Sequence, residues 1–157
     1  MCHPLMSSRL PQSLAEPARA GERRQVSVLF ADMVGYTAVI EALGEKKSLA
    51  FTRMIYAELT RAVHAHGGTV RSFAGDRIMG IFGIPEALED GALRSCRAAL
   101  AIEEAFAAAP RPLMAHFGVG AQMRVGISSG VAVMAQIEGA AAEMTAVGNT
   151  VNLASRI

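Results

Sequence analysis

Two aspartates and one Asn/Arg pair stand out in this sequence as residues whose types and spacing could do chemistry. Asp32 closes an apolar run, and Asp76 sits far downstream in a short Ala-Gly-Asp-Arg turn. Brought together, the two carboxylates would offer hard oxygen donors to a divalent cation. Mg²⁺ usually takes only one or two protein carboxylates and completes its shell with water and substrate phosphates. Taken singly, each Asp has a plainer use: Asp32 can cap a following helix and Asp76 can serve its turn. Asn152 and Arg156 are four positions apart, so on a helix they project from one face. By themselves they read as the solvated side of a surface helix.

The elements that must position these residues follow from the apolar pattern. Gln25 to Ala31 (QVSVLFA) is short and rich in β-branched and aromatic residues, which predicts a buried strand ending at Asp32. Glu45 to His66 places Phe51, Ile55, Leu59 and Ala62 at helical intervals and stops at Gly67-Gly68, with His64 and His66 in its last turn. Thr69 to Phe73 and Ile78 to Phe82 flank Ala74-Gly75-Asp76-Arg77 as two strands of a hairpin. Ala87 to Ala108 predicts a second helix, with Leu88, Ala92, Ala99, Leu100 and Phe106 on one face and Pro110 and Pro112 blocking its continuation. Met123 to Ser128 and Val131 to Ile137 read as strands around Ser129-Gly130, and Gly148 opens a last helical segment. The order is that of an α+β, ferredoxin-like βαββαβ (palm-type) fold. Its antiparallel sheet carries helices on one face and is extended by an extra strand and a C-terminal helix.

The chain of 157 residues has room for one core, with residues 1–24 as a flexible N-terminal leader and 25–157 as the domain. At 52% hydrophobic it is too apolar to be disordered, and at 5% aromatic it has few rings for stacking bases. Fifteen basic against fourteen acidic residues exclude a polybasic surface, so no nucleic-acid partner is expected. Cys2 and Cys96 cannot build a disulfide framework, which points to a reducing cytoplasm, and Cys96 is expected to be a buried, inert thiol. His116 is a lone loop histidine without a partner in the pattern. The longest apolar region, Val26 to Leu43, is interrupted by Asp32, so neither a signal peptide nor a membrane span is expected.

Val26 to Thr37 (VSVLFADMVGYT) and Gly68 to Gly83 (GTVRSFAGDRIMGIFG) closely resemble the two metal-binding motifs of class III adenylate/guanylate (nucleotidyl) cyclases. Met144 to Ile157 (MTAVGNTVNLASRI) resembles the signature helix of that family, and Met123 to Val133 (MRVGISSGVAV) its central strand pair. Three separated motifs in family order make the resemblance specific. It implies that Asp32 and Asp76 hold two Mg²⁺ or Mn²⁺ ions, with the carbonyl of Met33 as an extra ligand. The amides around Gly35, Tyr36 and Thr37 would face the triphosphate, which suits a glycine-containing turn at a helix N-terminus. It further implies that Asn152 orients the ribose and that Arg156 stabilises charge on the α-phosphate. Active sites of the family lie between two catalytic domains, so a chain carrying both residue sets implies a homodimer with two equivalent sites. The expected reaction converts ATP to 3′,5′-cyclic AMP and pyrophosphate in intracellular signalling.

Ser72 and Thr145 occupy the positions that read the base in the family. The Glu and Cys of guanine selection are absent there, so ATP is favoured over GTP. Ala135 and Glu138 replace glycines common in the family, and Glu138 to Glu143 is short. The family pattern continues past the signature helix to a Lys that contacts the triphosphate, whereas this sequence stops at Ile157; the chain alone is therefore expected to have little or no activity. The alternative is a degenerate or truncated cyclase-like module that dimerises or binds nucleotide in a regulatory role. A diguanylate cyclase or palm polymerase ranks last, since no GGDEF-type hairpin is present.

Overall fold

The computed structural model describes residues 17–74, 76–107, 117–137 and 143–156. Most of the leader, Cys2, Gly75, His116 and Glu138 lie outside the described residues. The elements run β1 (Arg23–Met33), α1 (Tyr36–Ala65), β2 (Thr69–Ala74), β3 (Arg77–Phe82), α2 (Gly91–Ala107), β4 (Met123–Ile137), β5 (Glu143–Val147) and α3 (Asn149–Ala154). They form one five-stranded sheet, ordered β2-β3-β1-β4-β5, in which every neighbouring pair is antiparallel. This is the expected βαββαβ order with a terminal helix, but the further strand is β5, which the sequence reading did not expect, while the expected extra strand Val131 to Ile137 is the second half of β4.

β1 lies at the centre of the sheet and is buried on both faces, which is why its sequence reads as a nearly continuous apolar run. Alternate residues serve two cores. Leu29, Ala31 and Met33 meet Phe51, Ile55, Leu59 and Val63 of α1 and Ala98 and Ile102 of α2. Val26, Val28 and Phe30 face the other way, toward Met79, Ile81, Ala132, Met134, Ala146 and Ala154 of α3. Thus α1 and α2 cover one face of the sheet and α3 covers the other. Before the sheet, Ala18 N–H donates to the Pro85 carbonyl and Gly21 N–H to that of Met134, so residues just ahead of β1 are tied to the body.

The four predicted core positions of α1 are all buried, and the helix stops at the predicted glycines. Gly67 takes φ 77°, its N–H donates to the His64 carbonyl, and Gly68 N–H donates to that of Val63, the paired bonds of a Schellman stop. The helix starts earlier than predicted, at Tyr36, and carries a break at Gly44 (φ 72°, ψ 166°) that separates a short first segment from the main one.

Three expectations are corrected. Ser129-Gly130 is not a turn: β4 runs unbroken through it for 15 residues. The glycine is there because α3 seats on the strand, and a Cβ at Gly130 would lie 2.8 Å from Thr150 Oγ1. On α2 the buried face is Gly91, Ser95, Ala98, Ile102 and Ala105, whereas Leu100 is 63% exposed. Leu100 and Ile102 are two residues apart and so stand on opposite sides of the helix, and packing on the sheet buries Ile102. Cys96, on the same helix, is an exposed free thiol rather than a buried one.

Candidate active site

The strand pairing carries Asp32 and Asp76 to one end of the sheet. Pairing of β1 with β3 runs to Ala31 opposite Ile78, and the next step sets Asp32 beside Arg77 and Met33 beside Asp76. Asp76 Oδ2 there accepts a hydrogen bond from Met33 N–H at 3.0 Å, so a side chain takes over where the ladder ends. The two carboxyls are neighbours at this sheet end, and each alters the other's ionisation. Burial raises Asp76, and the neighbouring Asp32 raises it further above the usual carboxylate range, against the Met33 N–H bond. Burial also works to raise Asp32, but its hydrogen bonds with Asp76 and Arg77 and the charges of Arg77 and Arg124 outweigh it, so Asp32 is held below that range.

Arg77 and Arg124 had no role in the sequence reading. Each places a guanidinium Nη2 on Asp32 Oδ2, at 3.1 Å and 3.0 Å. Arg124 is the direct cross-strand partner of Asp32, between Met123 and Val125, which face α1 and α2. By alternation Asp32, Arg77 and Arg124 therefore lie on the α3 side of the sheet. Only the register reveals this grouping. The adjacency of Arg77 to Asp76 was the one signal present in the sequence.

Immediately after β1, Gly35 adopts a left-handed conformation (φ 71°, ψ 21°) as the N-cap of α1, without a side-chain cap. A side chain at that φ would be strained. Val39 N–H returns to the Gly35 carbonyl, so the N–H groups of Gly35, Tyr36 and Thr37 precede the helix's own ladder. Thr37 is exposed. The Tyr36 ring packs on the α1 core and its hydroxyl shares a 2.6 Å hydrogen bond with Thr52 Oγ1, so this residue offers the turn its backbone rather than its phenol.

The Asn/Arg pair is elsewhere. Asn152 is exposed on α3, and Arg156 falls just beyond that helix, its N–H donating to the Leu153 carbonyl at 3.3 Å. Both belong to the expected surface, but the helix ends at Ala154 and does not include Arg156. Thr150, in the first turn of α3, donates to the Val131 carbonyl at 3.1 Å, next to Gly130, which pairs with Val26. Val26 is six residues up β1 from Asp32, a run of about 20 Å along an extended strand. Within one chain α3 therefore seats well away from the acidic pair. Thr145 is buried on β5 opposite Ala135, and Ser72 lies on β2 opposite Met79, beside a bulge. These are the two edge strands of the sheet.

A hollow of about 640 Å³ lined by Arg53, Tyr56, Ala57, Thr60, Arg61 and His64 runs along the outer side of α1 and includes none of the candidate residues. Among the described residues no cluster of three or more His, Cys, Asp or Glu could hold a metal. The acidic pair nevertheless fits a divalent ion, because two oxygen ligands held close enough to repel one another are the donor set Mg²⁺ or Mn²⁺ takes alongside phosphate and water.

A family profile described as the adenylate and guanylate cyclase catalytic domain matches residues 19–157. The chain belongs to this cyclase family. Adenylate cyclase 1 of Rhizobium meliloti (strain 1021) is 33% identical over 141 residues, covering 88% of this chain and 21% of that protein. An adenylate cyclase of Mycobacterium bovis (strain ATCC BAA-935 / AF2122/97) is 28% identical over 167 residues, covering 98% and 35%. The chain thus spans about a fifth to a third of the curated relatives it matches. Among solved structures, the guanylyl cyclase Cya2 matches with TM-score 0.80 at 27% identity, over 88% of this chain and 71% of that one. The adenylyl cyclase CyaB from P. aeruginosa shares the fold, with TM-score 0.77 at 24% identity over 86% and 71%. The cyclase domain's α+β palm-like fold is common to these neighbours. No helix among the described residues is long and apolar enough to cross a membrane.

Proposed function

We propose that the protein carrying this cyclase domain, residues 25–157, converts ATP to 3′,5′-cyclic AMP and pyrophosphate at a site shared by two copies of the domain. The observation that carries the reading is the convergence of Asp32 and Asp76 beside the Gly35 turn. Asp32, Asp76 and the Met33 carbonyl are the ligands for two Mg²⁺ or Mn²⁺ ions. Bound there, such ions would lower the pKa of the ribose 3′-hydroxyl and neutralise phosphate charge. The amides of Gly35, Tyr36 and Thr37 bind the triphosphate at the positive end of α1. The 3′-oxygen attacks the α-phosphorus, its proton passes to solvent, and pyrophosphate leaves. Arg156 offsets the charge that builds on the α-phosphate, and Asn152 holds the ribose.

The separation of α3 from Asp32 supports a homodimer. Asn152 and Arg156 reach a substrate held by Asp32 only from a second copy, and head-to-tail pairing completes two equivalent sites. ATP is favoured over GTP because the curated relatives above are named adenylate cyclases and because Ser72 and Thr145 stand where guanine selection would have Glu and Cys, although the Thr145 hydroxyl can serve either base. The domain works in intracellular signalling from a cytoplasmic location.

The test is complementation in purified protein carrying this domain. Asp32→Ala and Asn152→Ala should each lower Mn²⁺-dependent cyclic AMP formation by at least about 100-fold. Mixed in equal amounts they should recover about a quarter of wild-type activity, since half the dimers are mixed and each of those holds one intact site. Full activity of Asp32→Ala would remove the metal role, and a mixture no better than its parts would remove the shared site. Uniformly inactive protein that still binds nucleotide would instead favour a regulatory module.

A further inference from the structure

We infer that Arg77 and Arg124 are a built-in counter-cation for Asp32, which a divalent ion must displace before it can take Oδ2 as a ligand. The inference rests on the reading of Asp32 and Asp76 as the cation site. Both guanidiniums donate to the same oxygen, Oδ2, at 3.1 Å and 3.0 Å. A carboxylate oxygen has two in-plane lone pairs, and here both are taken. A Mg²⁺ or Mn²⁺ ion bonds such an oxygen at roughly 2.1 Å, along the directions the two nitrogens already occupy. Metal and both arginines therefore cannot share Oδ2.

Charge leads to the same result. Two carboxylates and two guanidiniums make a cluster that is neutral without metal, so a free dication meets little net attraction. The Asp32 side chain is only 10% exposed, and without a counter-ion its charge would be costly. The arginine side chains are 37% and 52% exposed, so either can turn out into water once an ion takes over its role as counter-charge. The acidic pair is thus held in place in the metal-free chain and becomes a strong cation site only after an arginine departs.

Mn²⁺ binding to the purified chain, measured by the loss of free-ion electron paramagnetic resonance signal, tests this without nucleotide or turnover. Arg77→Gln and Arg124→Gln should each bind Mn²⁺ more tightly than wild type, on the order of tenfold. Arg97→Gln, which removes the same charge from the exposed surface of α2 on the opposite face of the sheet, should bind as wild type does. Adding Asp32→Asn to Arg77→Gln should abolish the gain. If wild type binds Mn²⁺ and Arg77→Gln and Arg124→Gln bind no better than Arg97→Gln, the counter-cation role is wrong while the metal site stands. If neither wild type nor any variant binds Mn²⁺, both the metal reading and this inference fall.

Discussion

The two aspartates are chemically unlike despite their proximity. Asp32 is the ionised member, held by two guanidiniums, and Asp76 is the member that keeps its proton longer. In metal-free protein the native state therefore binds a proton at Asp76 more tightly than the unfolded chain does. Stability falls as pH rises from the ordinary carboxylate pKa through the raised native one, and the loss persists above it. Asp76→Asn, whose side-chain oxygen can still accept from Met33 N–H, should melt about 2–4 °C higher than wild type at pH 7 in a metal chelator. Differential scanning calorimetry with and without Mn²⁺ would show this, and the sign should reverse once the ion is supplied. For Asp32 the sign is opposite: its lowered native pKa contributes stability above the unfolded value that is lost as pH falls through the native one. Asp32→Asn gives up two charge-assisted bonds to half-exposed partners and should cost on the order of 1 kcal/mol at pH 7 in the same chelator.

At the scale of elements, what places the candidate residues is how helices seat on strands. α3 has only six residues and holds its position through the Thr150 bond to Val131 and the contact of Ala154 with the sheet. Gly130 is the floor of that seat. Gly130→Ala puts a Cβ 2.8 Å from Thr150 Oγ1, so α3 must shift, at a cost of about 1–3 kcal/mol. Thr150→Ala removes the obstructing hydroxyl and loses one hydrogen bond, about 1 kcal/mol. The double variant should therefore be more stable than the sum of the two changes predicts, and urea denaturation of all four proteins would measure the coupling. Additive losses would mean that helix and strand do not meet at these two residues. The same contact explains a misreading: Ser129-Gly130 looks like a turn in one dimension, because a glycine chosen for close approach and a glycine chosen for a bend are the same letter.

At the scale of the molecule, the proposed function makes one chain the bearer of two incomplete halves of a site, the acidic pair and Gly35 turn on one side and the α3 surface on the other. A shared site makes turnover depend on association. Specific activity of purified protein should fall on dilution, in step with the dimer fraction measured by analytical ultracentrifugation, whereas activity independent of concentration across the dissociation range would show that one chain suffices.

How much of this was legible beforehand differs between fold and site. Strand and helix identities follow from local physics: β-branched runs, the helical spacing of Phe51, Ile55, Leu59 and Ala62, and the Gly67-Gly68 stop each act within a few residues. The sequence by itself therefore determined the order of elements from β1 through α2, and through its three motifs the cyclase family, whereas β4 was read as two strands and β5 was missed. Only the tertiary structure decided that Arg77 and Arg124 share one oxygen of Asp32, that β4 passes unbroken beneath α3, and that Leu100 rather than Ala98 faces water. Those outcomes depend on register and on which face of each element is buried, and these are set by contacts between residues distant in the chain, where the local pattern has no hold.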